Sequence, residues 1–229
     1  LVLKWFGIQE GDEVIIPAYT YCATANIVVH CGATPIMVDV KDDFCIDTIA
    51  LEKAITPKTK AIISVDIAGY PVDYSEIRRI VEKQEIKNSY NPSNEKQKVL
   101  GRILLLSDAA HSFGASYKNE KVGSQADFTV FSFHAVKNLT TAEGGAICIN
   151  MPTPFVNEAI YNELNIWSLH GQTKDALAKA QKGAWEYDVI TAGYKCNMTD
   201  ILASIGLVEI ERYQQILEKR KEIFEHYNE

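Results

Sequence analysis

Short apolar runs alternate with amphipathic stretches along most of this sequence. Continuous apolar runs predict buried strands, and apolar residues at three- to four-residue spacing predict helices. The predicted strands are 14–17, 34–40, 61–67, 102–108, 127–133 and 145–149. The predicted helices are 1–8, the stretch ending at His30, 47–54, 74–84, 155–169 and about 199–227. Strands that alternate with helices favour an α/β fold, a three-layer sandwich around a mostly parallel sheet.

Three segments qualify this pattern. Residues 85–101 are polar and rich in turn formers, so we expect an exposed excursion there. Residues 171–192 have no clear periodicity and carry no assignment. The last helix has apolar residues at helical spacing in its early part, which predicts that this part faces the core; they are Ile201, Leu202, Ile205, Val208 and Ile216.

Composition narrows the class of protein. The 229 residues suffice for one substantial core, and 47% hydrophobic with 23% charged residues is typical of a soluble globular protein. The net charge of −7, without a basic stripe, argues against nucleic acid as a partner. No apolar run reaches the roughly 18 residues of a membrane helix, and no leader peptide is visible. The five scattered cysteines favour reduced thiols, and hence a cytoplasmic protein without a metal site.

Two residues stand where chemistry is possible. Asp108 ends a predicted strand, and open α/β sheets bind ligands at the carboxyl ends of their strands. Lys137 follows another strand among apolar residues, where desolvation favours the neutral, nucleophilic amine. A lysine and a carboxylate are what pyridoxal phosphate requires of a protein. On pattern alone both have ordinary explanations, because such an aspartate often caps a helix and a loop lysine is usually solvated.

Longer motifs decide between these interpretations. The sequence contains SDAAHSFGASYKNEKVGSQADFTVFSFHAVKNLTTAEGGAI, preceded by PAYTYCATANIVVHCGATPIMVDV and followed by GYKCNMTDILASIGLVEIER. In this order, and over nearly the whole chain, the segments resemble the DegT/DnrJ/EryC1/StrS family of nucleotide-sugar aminotransferases. The spaced set Asp-Ala-Ala-His, Ser-Phe-His-x-x-Lys and Glu-Gly-Gly is highly specific. SFHAVKN and TTAEGG are most similar to members that act on UDP-linked 4-keto sugars.

The resemblance implies a role for five residues. Lys137 would carry the cofactor pyridoxal phosphate and move the proton during transfer, and Asp108 would pair with the pyridine nitrogen. Tyr21 would stack on the ring face, His111 would lie near the ring hydroxyl, and Ser132 would donate to the phosphate. The alternatives are a core tyrosine, a core histidine and a solvent-facing strand serine.

The resemblance also implies a subunit boundary. In such enzymes the GYKC segment reaches the cofactor phosphate of a neighbouring subunit, which makes Lys195 a further cofactor-binding candidate and predicts a homodimer. A solvated surface lysine is the alternative. Relatives have a phosphate-binding segment before Leu1 and a small domain after Glu229. We therefore expect residues 1–229 to be most of the large domain of a fold type I pyridoxal-phosphate-dependent transferase.

The expected function is transfer of an amino group from an amino acid, with glutamate as the expected donor, to a nucleotide-linked keto sugar in cell-surface polysaccharide or amino-sugar biosynthesis. Two alternatives stay open. A sugar dehydratase of the same fold would carry histidine in place of Lys137. A non-catalytic scaffold would have no physical need for Asp108 and Lys137 together. Two departures from the family pattern are Asp66, where many members have histidine, and Ser107, where glutamate is common.

Overall fold

A six-stranded sheet lies at the centre of the computed structural model, which describes residues 1–174 and 186–228. The strands are β1 (Glu13–Pro17), β2 (Thr34–Val38), β3 (Thr59–Val65), β4 (Leu104–Asp108), β5 (Ser116–Tyr117), β6 (Glu120–Lys121), β7 (Phe128–Ser132) and β8 (Gly145–Ile149). The helices are α1 (Val2–Trp5), α2 (Cys22–Val29), α3 (Thr48–Ala54), α4 (Tyr74–Val81), α5 (Gln84–Ser89), α6 (Glu95–Leu100), α7 (Asn157–Ser168) and α8 (Asp200–Tyr227). A 3-10 turn spans Ile67–Gly69.

The sheet order is β2-β1-β3-β4-β7-β8, and β5 pairs with β6 in a separate small ribbon. All neighbours in the large sheet are parallel except β7 and β8, which are antiparallel. Every residue of the central strand β3 is buried. The parallel pairing therefore confirms the predicted mostly parallel α/β sheet, in which a strand covered on both faces is buried along its whole length.

Alternate residues of the strands supply two separate cores, as the two-residue period of a strand requires. On one face, Ile63 and Leu104 pack with residues from α1, α2 and α7. On the other face, Ile62 and Leu105 pack with residues from α3, α4 and α5. Each such side chain contributes about 1.5–3 kcal/mol by burial. Helices on both sides of one sheet form the predicted three-layer sandwich.

The prediction of an exposed excursion over 85–101 was wrong in part. The segment contains α5 and α6, and it buries Ile86 and Gln97. Gln97 is fully buried because its amide is satisfied: its Nε2 donates to the Phe6 carbonyl at 3.2 Å, and its Oε1 accepts from the Ser93 N–H at 2.8 Å. A polar residue can enter a core when both ends of its side chain find partners.

The prediction of a core-facing early α8 was also wrong for most of its apolar residues. Ile201 is 76% exposed and Val208 54%, and α8 buries only Gly206 and Tyr213. Helical spacing shows which residues share a face, but it does not show that the same chain covers that face. Of the unassigned stretch, residues 175–185 lie outside the described residues. None of the helices in the described ranges has the length and apolar character that crossing a bilayer demands.

Candidate active site

A cavity of about 660 Å³ opens at the carboxyl ends of β3, β4 and β7. This is the edge where open parallel sheets bind their ligands. The structure brings five of the six predicted site residues to this cavity; they are Tyr21, Asp108, His111, Ser132 and Lys137. Because they come from three separate segments of the sequence, their convergence depends on the sheet topology.

Asp108 is the last residue of β4, and its carboxylate is held by two donors. Thr24, buried in α2, donates from Oγ1 to Oδ2 at 3.0 Å, and the Ala110 N–H donates to Oδ1 at 3.2 Å. The Thr20 and Thr24 hydroxyls lie 2.8 Å apart. Sequence reasoning missed Thr24, which lies four residues after Thr20 in the segment that also contains Tyr21. The carboxylate is thus oriented toward the cavity.

Lys137 lies in the closed loop that joins β7 to β8. The loop is fixed at its base, where the Phe133 N–H donates to the Gly144 carbonyl at 2.8 Å and the Thr141 N–H donates to the Phe133 carbonyl at 2.9 Å. Leu139 anchors its middle with only 1% exposure. The half-buried Lys137 therefore extends from a defined backbone into the cavity.

The charges of both Asp108 and Lys137 act on the imidazole of His111. Its Nδ1 accepts the Ala68 N–H at 3.2 Å, so Nδ1 carries a lone pair and the proton of the neutral ring is on Nε2. Burial lowers the pKa of His111, and the charge of Lys137 lowers it further, against the opposing effect of Asp108. A neutral imidazole with Nε2–H free to donate suits a ligand oxygen.

The two departures from the family pattern belong to one buried network. Asp66, fully buried beside the cavity, accepts from the hydroxyls of Tyr74 and Ser112, each at 2.6 Å, and from the Val72 N–H at 3.0 Å. The Tyr74 hydroxyl also lies 2.7 Å from Ser107 Oγ. Burial raises the pKa of Asp66, while its three donors oppose that rise. Because Ser112 follows His111, this network fixes the loop that carries the histidine.

The remaining predicted residues differ in placement. Tyr21 is the N-cap residue of α2 and is 75% exposed, so it is not a core tyrosine. Ser132 ends β7, half-buried, and its Oγ accepts the His134 N–H at 3.3 Å. Lys195 is exposed and does not line the cavity of its own chain; its Nζ contacts the Asn197 amide oxygen. The structure therefore does not bring Lys195 together with the other five predicted residues.

The residues at the cavity fit pyridoxal phosphate. The ring nitrogen requires a carboxylate, the aldehyde requires a lysine amine, and the ring oxygen requires a donor; the residues are Asp108, Lys137 and His111. The cavity walls from β3, β4 and β7 are mostly apolar, as suits a flat aromatic ring. In the described ranges, no group of three or more His, Cys, Asp or Glu side chains is placed to hold a metal ion.

Comparison with known proteins identifies the family. The profile of the DegT/DnrJ/EryC1/StrS aminotransferase family matches residues 1–88 and 98–229. The chain belongs to this family. The unmatched residues 89–97 include the connection between α5 and α6, the segment that departs from the regular strand and helix alternation.

Curated relatives cover the whole chain. This chain is 39% identical over 231 residues to the uncharacterized protein MJ1066 of Methanocaldococcus jannaschii. The match covers 100% of this chain and 54% of that protein. The chain is also 35% identical to the spore coat polysaccharide biosynthesis protein SpsC of Bacillus subtilis, over 99% of this chain and 53% of the relative. The chain thus spans about half the length of these relatives.

Solved structures confirm the fold. The PMP form of Spr1654, a putative sugar aminotransferase from Streptococcus pneumoniae, has a TM-score of 0.92 and 50% identity, covering 99% of this chain and 57% of that one. A PLP form of the same protein is also similar. Helicobacter pylori PseC, an aminotransferase of pseudoaminic acid biosynthesis, has a TM-score of 0.74 and 31% identity, covering 93% and 49%. The expected fold type I architecture is confirmed.

Proposed function

We propose that the protein containing this chain uses pyridoxal phosphate to transfer an amino group from an amino acid, with glutamate as the proposed donor, to a nucleotide-linked keto sugar. The observation that carries the proposal is the convergence of Asp108, His111 and Lys137 on one cavity at the carboxyl edge of the sheet. When bound, the cofactor supplies an electron sink for the carbon that gains or loses the amino group.

Each residue has a separate task in this proposal. Lys137 binds the cofactor and moves a proton at the reacting carbon. The hydrogen bonds at both ends of its loop hold its amine in position for these two tasks. Asp108, oriented by Thr24, keeps the proton on the ring nitrogen. His111 donates Nε2–H to the ring oxygen, because Ala68 occupies its Nδ1.

The other candidates contact the edges of the cofactor. Tyr21, exposed at the start of α2, covers the ring face, and Ser132 donates its hydroxyl to the phosphate. Lys195 reaches the phosphate of a second subunit in a homodimer. Its exposed position outside its own cavity is compatible with that role, as are the exposed apolar residues of α8.

The substrate class is supported by the relatives' names. SpsC belongs to spore coat polysaccharide biosynthesis, and PseC to the biosynthesis of pseudoaminic acid. We therefore infer that the proposed reaction belongs to cell-surface polysaccharide or amino-sugar biosynthesis. We propose a cytoplasmic location because the five cysteines are free thiols. Lys137 argues against the dehydratase alternative, and its convergence with Asp108 argues against a scaffold.

The test uses purified full-length protein, glutamate and a UDP-4-keto sugar. Aminotransfer predicts a protein with bound pyridoxal phosphate that is yellow before glutamate is added, and then an amino sugar with an equivalent amount of 2-oxoglutarate. No product should form when glutamate is omitted. A sugar product lighter by one water would favour the dehydratase instead. A colourless protein that converts no keto sugar would refute both enzymatic functions and favour the scaffold.

A further inference from the structure

The residue after the proposed cofactor lysine bridges three parts of the chain. Asn138 donates from Nδ2 to the His111 carbonyl at 2.8 Å, and its Oδ1 accepts from Arg220 Nη1 at 2.8 Å. A carbonyl can only accept and a guanidinium can only donate, so these two partners fix the orientation of the amide. The side chain therefore links the Lys137 loop to the His111 loop and both to α8.

This link restrains His111 from a second side. Its ring is held by the Ala68 N–H, and its carbonyl is held by Asn138. A Cβ on Gly69 would lie only 2.9 Å from the same carbonyl oxygen, so the backbone around His111 is closely confined. Since Lys137 and His111 belong to different loops, the Asn138 amide is a direct connection between their supports.

The helix α8 contacts both loops from one face. Arg220 reaches Asn138, and Tyr213 donates its hydroxyl to the Phe113 carbonyl, two residues after His111. The rings of Tyr213 and Phe113 pack with centroids 5.2 Å apart. Seven residues separate Tyr213 from Arg220, about two helical turns, which places both on the same side of α8. This helix is thus a common support for the two loops.

We propose that Asn138 is a positioning residue, which holds Lys137 and His111 in fixed relation, and that Arg220 acts through it by orienting its amide. The inference deepens the proposed function and rests on it where turnover is concerned. Neither residue contacts the proposed reaction directly. Their effect is on geometry, and a displacement of ~1 Å at a reacting group can cost ~10²-fold in rate.

The test compares four variants of the full-length protein. Asn138→Asp keeps an acceptor for Arg220 but loses the donor to His111, and Arg220→Ala does the reverse. The third variant combines both changes. Arg212→Ala is the matched control, an exposed arginine of α8 whose partner is Glu209 on the same helix. We expect Asn138→Asp to lower kcat by about 10- to 100-fold with unchanged KM for the sugar, whereas Arg212→Ala has no effect.

A readout without cofactor separates the bridge from the chemistry. In hydrogen exchange of the apo protein, Asn138→Asp should accelerate exchange in 109–113 and 134–141 while the rest of the chain is unchanged. Arg220→Ala should accelerate hydrogen exchange in 134–141. In the kinetic assay, the double variant should have the same kcat as Asn138→Asp alone. These results support the proposal even if the wild type transfers no amino group, an outcome that would refute only the proposed function.

The opposite results would overturn the proposal that Asn138 positions the two loops. Wild-type exchange in both single variants, or wild-type kcat in Asn138→Asp when the parent is active, would show that the bridge positions nothing. Losses of kcat that multiply in the double variant would show that Arg220 does not act through Asn138. Because Arg220 is exposed, its variant should fold even if Asn138→Asp does not.

Discussion

Replacing Lys137 with alanine should abolish amino transfer and leave the fold intact. The ordered backbone contact of Lys137 is its N–H to the His134 carbonyl at 2.9 Å, which alanine retains. The anchor of the loop is Leu139, which is untouched. Because Lys137→Ala leaves these contacts in place, it should change the free energy of unfolding by about 0.5 kcal/mol or less.

The expected loss of activity is much larger. Removing the group that moves the proton costs on the order of 10²–10⁴-fold, equivalent to roughly 3–5 kcal/mol in the activation free energy. Losing the nucleophile that binds the cofactor adds to this. The predicted effect on the barrier therefore exceeds the predicted effect on stability by several kcal/mol.

The assay is single-turnover transfer to a UDP-4-keto sugar by the full-length variant, together with a thermal melt. The control is Lys58→Ala, an exposed lysine beside β3 that does not line the cavity. It should match the wild type in both measurements. Near-normal transfer by Lys137→Ala would refute the assignment of the lysine. Loss of folding along with activity would refute the claim that its role is chemical and not structural.

Two further predictions concern the stability contributed by a buried ion pair and by a left-handed glycine. Asp127→Asn should lower the free energy of unfolding at neutral pH by about 3–5 kcal/mol in urea titration, because it breaks a buried ion pair in which Asp127 meets Arg102 at 2.7 Å. Burial alone would raise the pKa of Asp127, but Arg102, Arg78 and the Leu105 N–H together hold the pKa below its usual value. The wild type should therefore lose this stabilisation as the pH falls from about 4, the unfolded-state pKa, through the lower pKa of Asp127 in the folded protein, and the variant should not. Equal acid sensitivity of the two proteins would contradict the stabilising ion pair. Gly69→Ala should lower the free energy of unfolding by at least about 1–2 kcal/mol, since its φ of +86° is left-handed and the new Cβ would lie 2.9 Å from the His111 carbonyl oxygen; an unchanged melting midpoint would contradict both effects.

Features set by local pattern could be predicted from the sequence. The buried strands were predicted because continuous apolar runs such as 61–65 have no exposed face, and parallel strands covered on both sides require that composition. Tyr21, Asp108, His111, Ser132 and Lys137 were named from motif similarity, and the structure places all of them at one cavity. Their individual roles remain predictions.

Features that depend on distant partners could not be predicted. The bond from Thr24 to Asp108 joins residues 84 positions apart, and the contacts of Asp66 extend 46 positions to Ser112. No periodicity reports such pairs. The early part of α8 shows the converse limit, because Ile201 has the spacing of a core residue but stays 76% exposed in the part of the chain that the structure describes.

The proposed function depends first on Lys137, which we propose binds the cofactor in the cavity that Asp108 also lines. The most direct test incubates full-length protein with pyridoxal phosphate, reduces the complex with borohydride and locates the added mass by peptide sequencing in a mass spectrometer. We expect one reduced cofactor per chain, attached to Lys137. Stable attachment at another lysine such as Lys195, or none at all, would contradict it.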